Sequence, residues 1–194
     1  MQSVCSILSN STQNSKGGIY LNSGKDFEAQ WKASVPEDVL IQRMSDPAQS
    51  FFGGSTARFS PNNPYDFFMY REPNLFCLEL KSKKSSSFTF WREDFDGAQF
   101  DIKKHQILGL LEASQYDGVT AGLIMNFRNV NRTYFISIEN FIRLTSSIEK
   151  KSVNEKDIVG CGAVFIEQTL KKVKYHFHID QLIQNLQGEF TNAW

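Results

Sequence analysis

Two short apolar runs stand back to back in the first half of the chain. Phe67-Phe68-Met69-Tyr70 follows Tyr65-Asp66, and Leu75-Phe76-Cys77-Leu78 leads into Glu79-Leu80-Lys81, with Arg71-Glu72-Pro73-Asn74 between them. Proline and asparagine punctuate strands, so the pattern predicts an antiparallel hairpin around a four-residue turn. Helical spacing appears on either side of it. Phe27 and Trp31 lie four residues apart behind Ser23 and Asp26, which fit a capping box, and Pro36 ends that helix. Ile107, Leu108, Leu110 and Leu111 predict a second helix running from a cap at Asp101 to about Ser114.

The rest of the chain alternates between the two periods. Val119–Phe127, behind the stop Asp117-Gly118, is a long apolar strand of the type buried on both faces. Thr133–Ile138 alternates after the turn Asn129-Val130-Asn131. Short strands are expected near 39–44, 164–167 and 174–179, and short helices over 138–144 and 180–186. Residues 146–157 read as a charged loop and 82–99 as a polar, then aromatic connection. The interval 37–64 holds Pro47, Pro61, Pro64 and Gly53-Gly54 and reads as irregular. This order predicts an α/β fold with a central mixed β-sheet flanked by helices, built as one domain over 21–194 behind a flexible tail over 1–20.

Composition narrows the function classes. Lys+Arg and Asp+Glu are both 21, so the net charge is zero and polyanion binding has to come from a local basic face. Three cysteines, Cys5, Cys77 and Cys161, are odd in number and widely spaced. They suit neither a disulfide framework nor a zinc site, and they point to a reducing, cytoplasmic setting. No apolar run reaches the roughly 20 residues of a membrane span.

The hairpin register carries the chemistry. With Tyr70 opposite Leu75, Asp66 faces Glu79, and opposed side chains lie about 5 Å apart. Period-2 alternation puts Lys81 on the face of Glu79. Two facing carboxylates and a lysine on otherwise apolar strands describe a divalent-cation site, because unpaired charge is costly there. The competing reading is an edge strand with one solvent face, where all three simply point outward. Glu149-Lys150-Lys151 shows how little Glu-x-Lys means by itself, since it lies in a polar loop. Glu28 and Gln106 each lie at the margin of an apolar helical stripe, where a bland boundary residue is also common.

Asp66…Glu79-Leu80-Lys81 resembles the PD-(D/E)xK nuclease motif. Joined to Glu28 in the first helix and Lys104-His105-Gln106-Ile107 in a later one, it resembles the RecU family of Holliday-junction resolvases over roughly residues 22–184. The resemblance implies a restriction-endonuclease-like core and Mg²⁺, replaceable by Mn²⁺, held by Asp66, Glu79 and the main-chain carbonyl of Leu80. It implies Lys81 at the attacking water or the phosphorus, Glu28 acting through a second metal or a water, and Gln106 positioning Lys81 or that water. It also implies DNA as partner, in four-way or otherwise branched form, and a symmetric homodimer. Arg58, Lys83, Lys84, Lys103 and Lys104 are the expected DNA contacts.

The chain departs from the family at four places. The basic projection of the family corresponds here to about 46–59, where Arg58 is the one base. The family's hydroxyl residue before the aspartate is Tyr65, an extra segment spans Trp91–Gln99, and the net charge is zero. These departures keep two alternatives open: a nuclease of the same core acting on flap or linear DNA, and a catalytically silent junction-binding protein. Lys81-Ser82-Lys83-Lys84 with Phe88, Phe90 and Trp91 offers a phosphate grip with stacking rings, or equally a solvated loop with its rings in the core. Lys171, Lys172 and Lys174 extend a basic face. His176-x-His178 lacks a third metal ligand nearby.

Overall fold

The computed structural model describes residues 23–44, 63–94 and 99–191. Its elements, in chain order, are α1 (Ser23–Lys32), β1 (Leu40–Arg43), β2 (Phe67–Arg71), β3 (Asn74–Lys83), β4 (Ser87–Thr89), α2 (Lys104–Ala113), β5 (Val119–Phe127), β6 (Arg132–Ser137), α3 (Ile138–Ser147), β7 (Ser152–Asn154), α4 (Glu155–Gly160), β8 (Val164–Ile166), β9 (Gln168–Lys171), β10 (Lys174–Phe177) and α5 (Ile179–Thr191). Six strands form one sheet in the order β1-β2-β3-β5-β6-β8. Within this sheet β3 and β5 pair in parallel, with α2 as the crossover, and their neighbours pair antiparallel, so the sheet is mixed as expected.

The two central strands are buried on both faces because their side chains are apolar in both registers of the pleat. Each face then needs its own cover, and two separate cores result. One packs Cys77, Leu123 and Met125 beneath Ile107 and Leu110 of α2, Phe141 of α3 and Ile158 of α4. The other packs Phe76, Leu78 and Leu80 against Phe27 and Trp31 of α1, Phe177, and Leu182 and Ile183 of α5. Among the described residues, no helix is long and apolar enough to cross a membrane.

The hairpin register is the expected one, with Tyr70 opposite Leu75 and Phe67 opposite Leu78. The turn is tighter than the sequence suggested, because Arg71 still pairs with Asn74 and leaves only Glu72-Pro73 at the tip. Other boundaries moved further. Asp101 does not cap α2. Its carboxylate takes the ammonium of Lys83 at 2.7 Å and the main-chain N–H of Thr89 at 2.8 Å, while Lys103 stands at the helix start. The expected charged loop at 146–157 contains β7 and α4, where Asn154 and Asp157 cap each other's backbone. The strand β9 was not foreseen. It pairs with β10 in a hairpin separate from the main sheet. The tail over 1–20, the interval 46–59 and Arg58 lie outside the described residues.

One glycine fixes how closely α2 approaches the site. A Cβ at Gly109 would meet Pro64, its Cα at 2.9 Å and its Cβ closer still, two residues before Asp66. Gly109→Ala gains helix propensity but forces α2 away from Pro64. The expected net loss is about 1–3 kcal/mol, read as a lower melting temperature, with Gln106 drawn off Glu79 in the same variant.

Candidate active site

Asp66 ends the hairpin on one side and Glu79 lies opposite it, each one residue beyond the last β2–β3 pair, Phe67 with Leu78. The backbone N–H of Asp66 donates to Leu78 at 3.1 Å, which carries the register one step past β2. Asp66 Oδ2 accepts the N–H of Leu80 at 2.8 Å. In an extended strand the N–H and C=O of one residue point to the same side, so the Leu80 carbonyl lies on the Asp66 edge of β3. Asp66 lies close enough to disfavour ionisation of Glu79.

Glu79 is 2 % exposed. Its partners are Lys81, whose Nζ lies 2.8 Å from Oε1, and Gln106 of α2, whose Nε2 donates to the same oxygen. Burial, aided by Asp66 and opposed by Lys81, pushes its pKa up to about 8. Asp66 is raised as well, by burial first, against the pull of the Leu80 N–H and Lys81. Gln106 is fixed at both ends, because its carbonyl oxygen accepts the N–H of Lys103 at 2.9 Å. Its amide is directed at Glu79, where the resemblance implied Lys81 or the attacking water.

Glu28 approaches from the opposite face of the sheet. It is paired with Arg43 at 2.9 Å and lies close enough to Asp66 for its charge to be felt there. Arg43 itself was missed. Its one sequence signal was a place at the end of a short strand, and its position follows from the pairing of β1 with β2, which sets Arg43 beside Phe67. His105 was quoted only as part of a motif. Its pKa is lowered by burial and by the charges of Lys103 and Lys81. Tyr65 turns away from the carboxylates: its hydroxyl meets the Cys77 thiol, and burial pushes its pKa up to about 12.

The other expected contacts divide. Lys104 lies over the ring of Trp91, 4.5 Å from its centroid. Lys83 is held by Asp101. Lys84 and Lys103 have no ion pair among the described residues. Phe88 and Phe90 are 1 % exposed, so they serve the core and not base stacking. His176 and His178 share a face, with ring centroids 5.9 Å apart. No group of three or more His, Cys, Asp or Glu side chains fit to hold a metal occurs among the described residues. A cation between Asp66 and Glu79 would thus need the Leu80 carbonyl or water to complete its shell. Those are hard oxygen donors, as Mg²⁺ and Mn²⁺ prefer.

No family model matches the chain. The SPbeta prophage-derived uncharacterized protein YotM of Bacillus subtilis (strain 168) is 31 % identical over 178 residues, covering 85 % of this chain and 87 % of that protein. Among solved structures, the Holliday junction resolvase Hjc of Archaeoglobus fulgidus aligns with 70 % of this chain and 88 % of its own at 11 % identity and a TM-score of 0.41.

Glu79 gives the site a pH signature. Its folded pKa of about 8 exceeds the ordinary 4.5, so the folded state holds a proton that the unfolded chain releases. Its contribution to folding is full below pH 4.5 and is lost as pH rises towards 8. In EDTA, Glu79→Gln is expected to leave the melting temperature nearly unchanged at pH 5. At pH 8.5 it should raise it by at least about 2–4 °C, the shift that roughly 1 kcal/mol makes in a chain of this size.

Proposed function

The chain belongs to the family of the prophage-derived protein YotM, and we propose that it is a Mg²⁺-dependent, structure-specific DNA endonuclease that nicks branched DNA, four-way junctions foremost. One observation carries this reading: Glu79 is buried and costly to ionise, yet it is set against a second carboxylate, Asp66, at the open edge of β3. A structural role would not need two acids there. A divalent cation supplies the missing charge, and when bound it lowers the pKa of a water and polarises a phosphoryl oxygen.

The chain's own residues then have distinct tasks. Asp66, Glu79 and the Leu80 carbonyl are the proposed ligands. Gln106, tied to Lys103, fixes the carboxylate of Glu79 in one rotamer. Lys81 stands 2.8 Å from Glu79 and favours its charged form. With the acids' charge otherwise met, its ammonium is available to a water or a non-bridging phosphate oxygen. Glu28, restrained by Arg43, tunes Asp66 from the far side. A serine or cysteine nucleophile has no place in this arrangement, so direct attack by water is the proposed route. Two opposed strands of a junction need two such sites, which a symmetric homodimer provides.

The interval corresponding to the basic projection of junction resolvases carries one base, Arg58, and this favours flap or linear DNA as a second reading. A labelled four-way junction beside a linear duplex of the same arms separates the two. Paired symmetric nicks in the junction alone, in Mg²⁺ or Mn²⁺, are the expected result. Asp66→Asn should abolish them, and Lys81→Ala should slow them about 10²–10⁴-fold. Cutting of both substrates moves the assignment to a general nuclease. Cutting of neither, with junction binding retained in EDTA, leaves a silent binding protein.

A further inference from the structure

The β9–β10 hairpin, absent from the sequence reading, carries a concentration of charge that the candidate site does not use. Its tip is Lys171-Lys172-Val173-Lys174, with Val173 87 % and Leu170 57 % exposed. Lys172 takes φ 59°, a left-handed turn position that ordinarily falls to glycine or asparagine. A lysine placed there sets its ammonium at the extremity of the hairpin.

The hairpin is mounted on α1. The N–H of Tyr175 donates to Gln30 Oε1 at 2.6 Å, and the N–H of Phe177 donates to Ser34 Oγ at 3.0 Å. The Phe177 ring packs edge-on against Phe27 at 5.4 Å. The two elements therefore present one rigid surface. Ala29 and Ala33 keep the outer side of α1 low, and a groove lined by Ala29, Ala33, Lys171 and Lys174 runs between helix and hairpin. On the other side of Ala29 a second groove is lined by Lys25, Lys32, Arg43 and Glu28, the last at the rim of the candidate site.

Pairing separates these lysines from others in the chain. Lys81, Lys83 and Lys150 each hold a carboxylate. Among the described residues Lys25, Lys32, Lys171, Lys172 and Lys174 have no ion pair. Of the two acids of α1, Glu28 is ion-paired with Arg43, while Asp26 accepts a hydrogen bond from the neutral Gln30 amide and keeps its charge. In a chain of zero net charge, the four unpaired lysines lining these two adjoining grooves, with Lys172 at the hairpin tip, outnumber the acids beside them, Asp26 and Glu28, and make a net positive surface.

We propose that the outer face of α1 and the β9–β10 hairpin form a second DNA-binding surface, which grips the phosphate backbone of a duplex arm as it leaves the candidate site. The inference rests on the endonuclease reading for its substrate. Its ligand is the phosphate backbone, so it confers no sequence preference. A branched substrate has arms leaving in different directions. The Lys103 and Lys104 side of the sheet would meet one of them, and α1 with the hairpin another.

The test is duplex binding in EDTA, where nothing is cut, by the full chain and by a variant carrying Lys25→Ala, Lys32→Ala, Lys171→Ala and Lys174→Ala. A 30-base-pair duplex is followed by fluorescence anisotropy from about 50 to 200 mM salt. The variant is expected to bind at least about tenfold more weakly at low salt, with a log–log salt slope smaller by about 3. Arginine at the same four positions should restore both. Lys156→Ala, on α4 across the sheet, should change neither, and melting curves should match throughout. Equal affinity and slope for parent and variant would overturn the proposal, as would lysine-dependent capture by anionic vesicles without duplex binding. A parent that binds through these lysines but cuts nothing in Mg²⁺ or Mn²⁺ keeps this surface and removes the endonuclease reading. A parent that cuts junctions without lysine-dependent binding does the reverse.

Discussion

Burial of the Glu79 carboxylate is the constraint around which the site is arranged. A carboxylate moved from water into an apolar strand loses more than hydrogen bonds return unless charge is supplied. The chain supplies some of it through Lys81, 2.8 Å away on the same face, and one further donor through Gln106 of α2. It then adds a second carboxylate, Asp66, which raises the cost again. The site is thus left short of positive charge by construction. That shortage, rather than any one ligand distance, is the physical argument for a cation as its complement.

The same requirement explains why the surrounding elements sit where they do. Gln106 reaches Glu79 only because α2 approaches close to the segment before Asp66, and Gly109 against Pro64 sets that approach. The β3–α2–β5 crossover returns the chain parallel to β3, so β5 closes the far edge of the strand that carries Glu79 and Lys81 with a mostly apolar run. Cys77, Glu79 and Lys81 share one face, and Leu78 and Leu80 share the other. The charged groups of the candidate site and the core packing are therefore carried by alternate residues of one strand.

Much of this was legible because it depends on local register. Tyr70 opposite Leu75 follows from the apolar runs and the turn residues, and once it is set, the facing of Asp66 and Glu79 follows from a period of two. Features that depend on tertiary partners were not legible. Asp101 looks like a helix cap, but a lysine eighteen residues earlier, Lys83, competes for it and wins. Phe88 and Phe90 look like stacking platforms beside lysines, but β4 pairs with β7, some sixty residues on, and turns both rings into the core. The β9–β10 hairpin hides because lysines occupy the positions where a turn ordinarily announces itself with glycine or asparagine.

Zero net charge does not exclude a surface suited to a polyanion, because distribution decides. Much of the acid in this chain is neutralised locally. Asp101 takes Lys83, Asp157 takes Lys150, and Glu155 takes Arg132 and the Tyr134 hydroxyl. Those pairs fasten β3 to the start of α2, the α4 segment, and β6 to α4. They consume as many cations as anions, so they leave the balance unchanged while removing acids from the surface field. Among the described residues of α1 and its hairpin, five unpaired lysines face one acid without an ion pair, Asp26. Net charge is a sum, whereas a polyanion meets a surface, and within roughly a 10 Å screening length only the local arrangement acts on it.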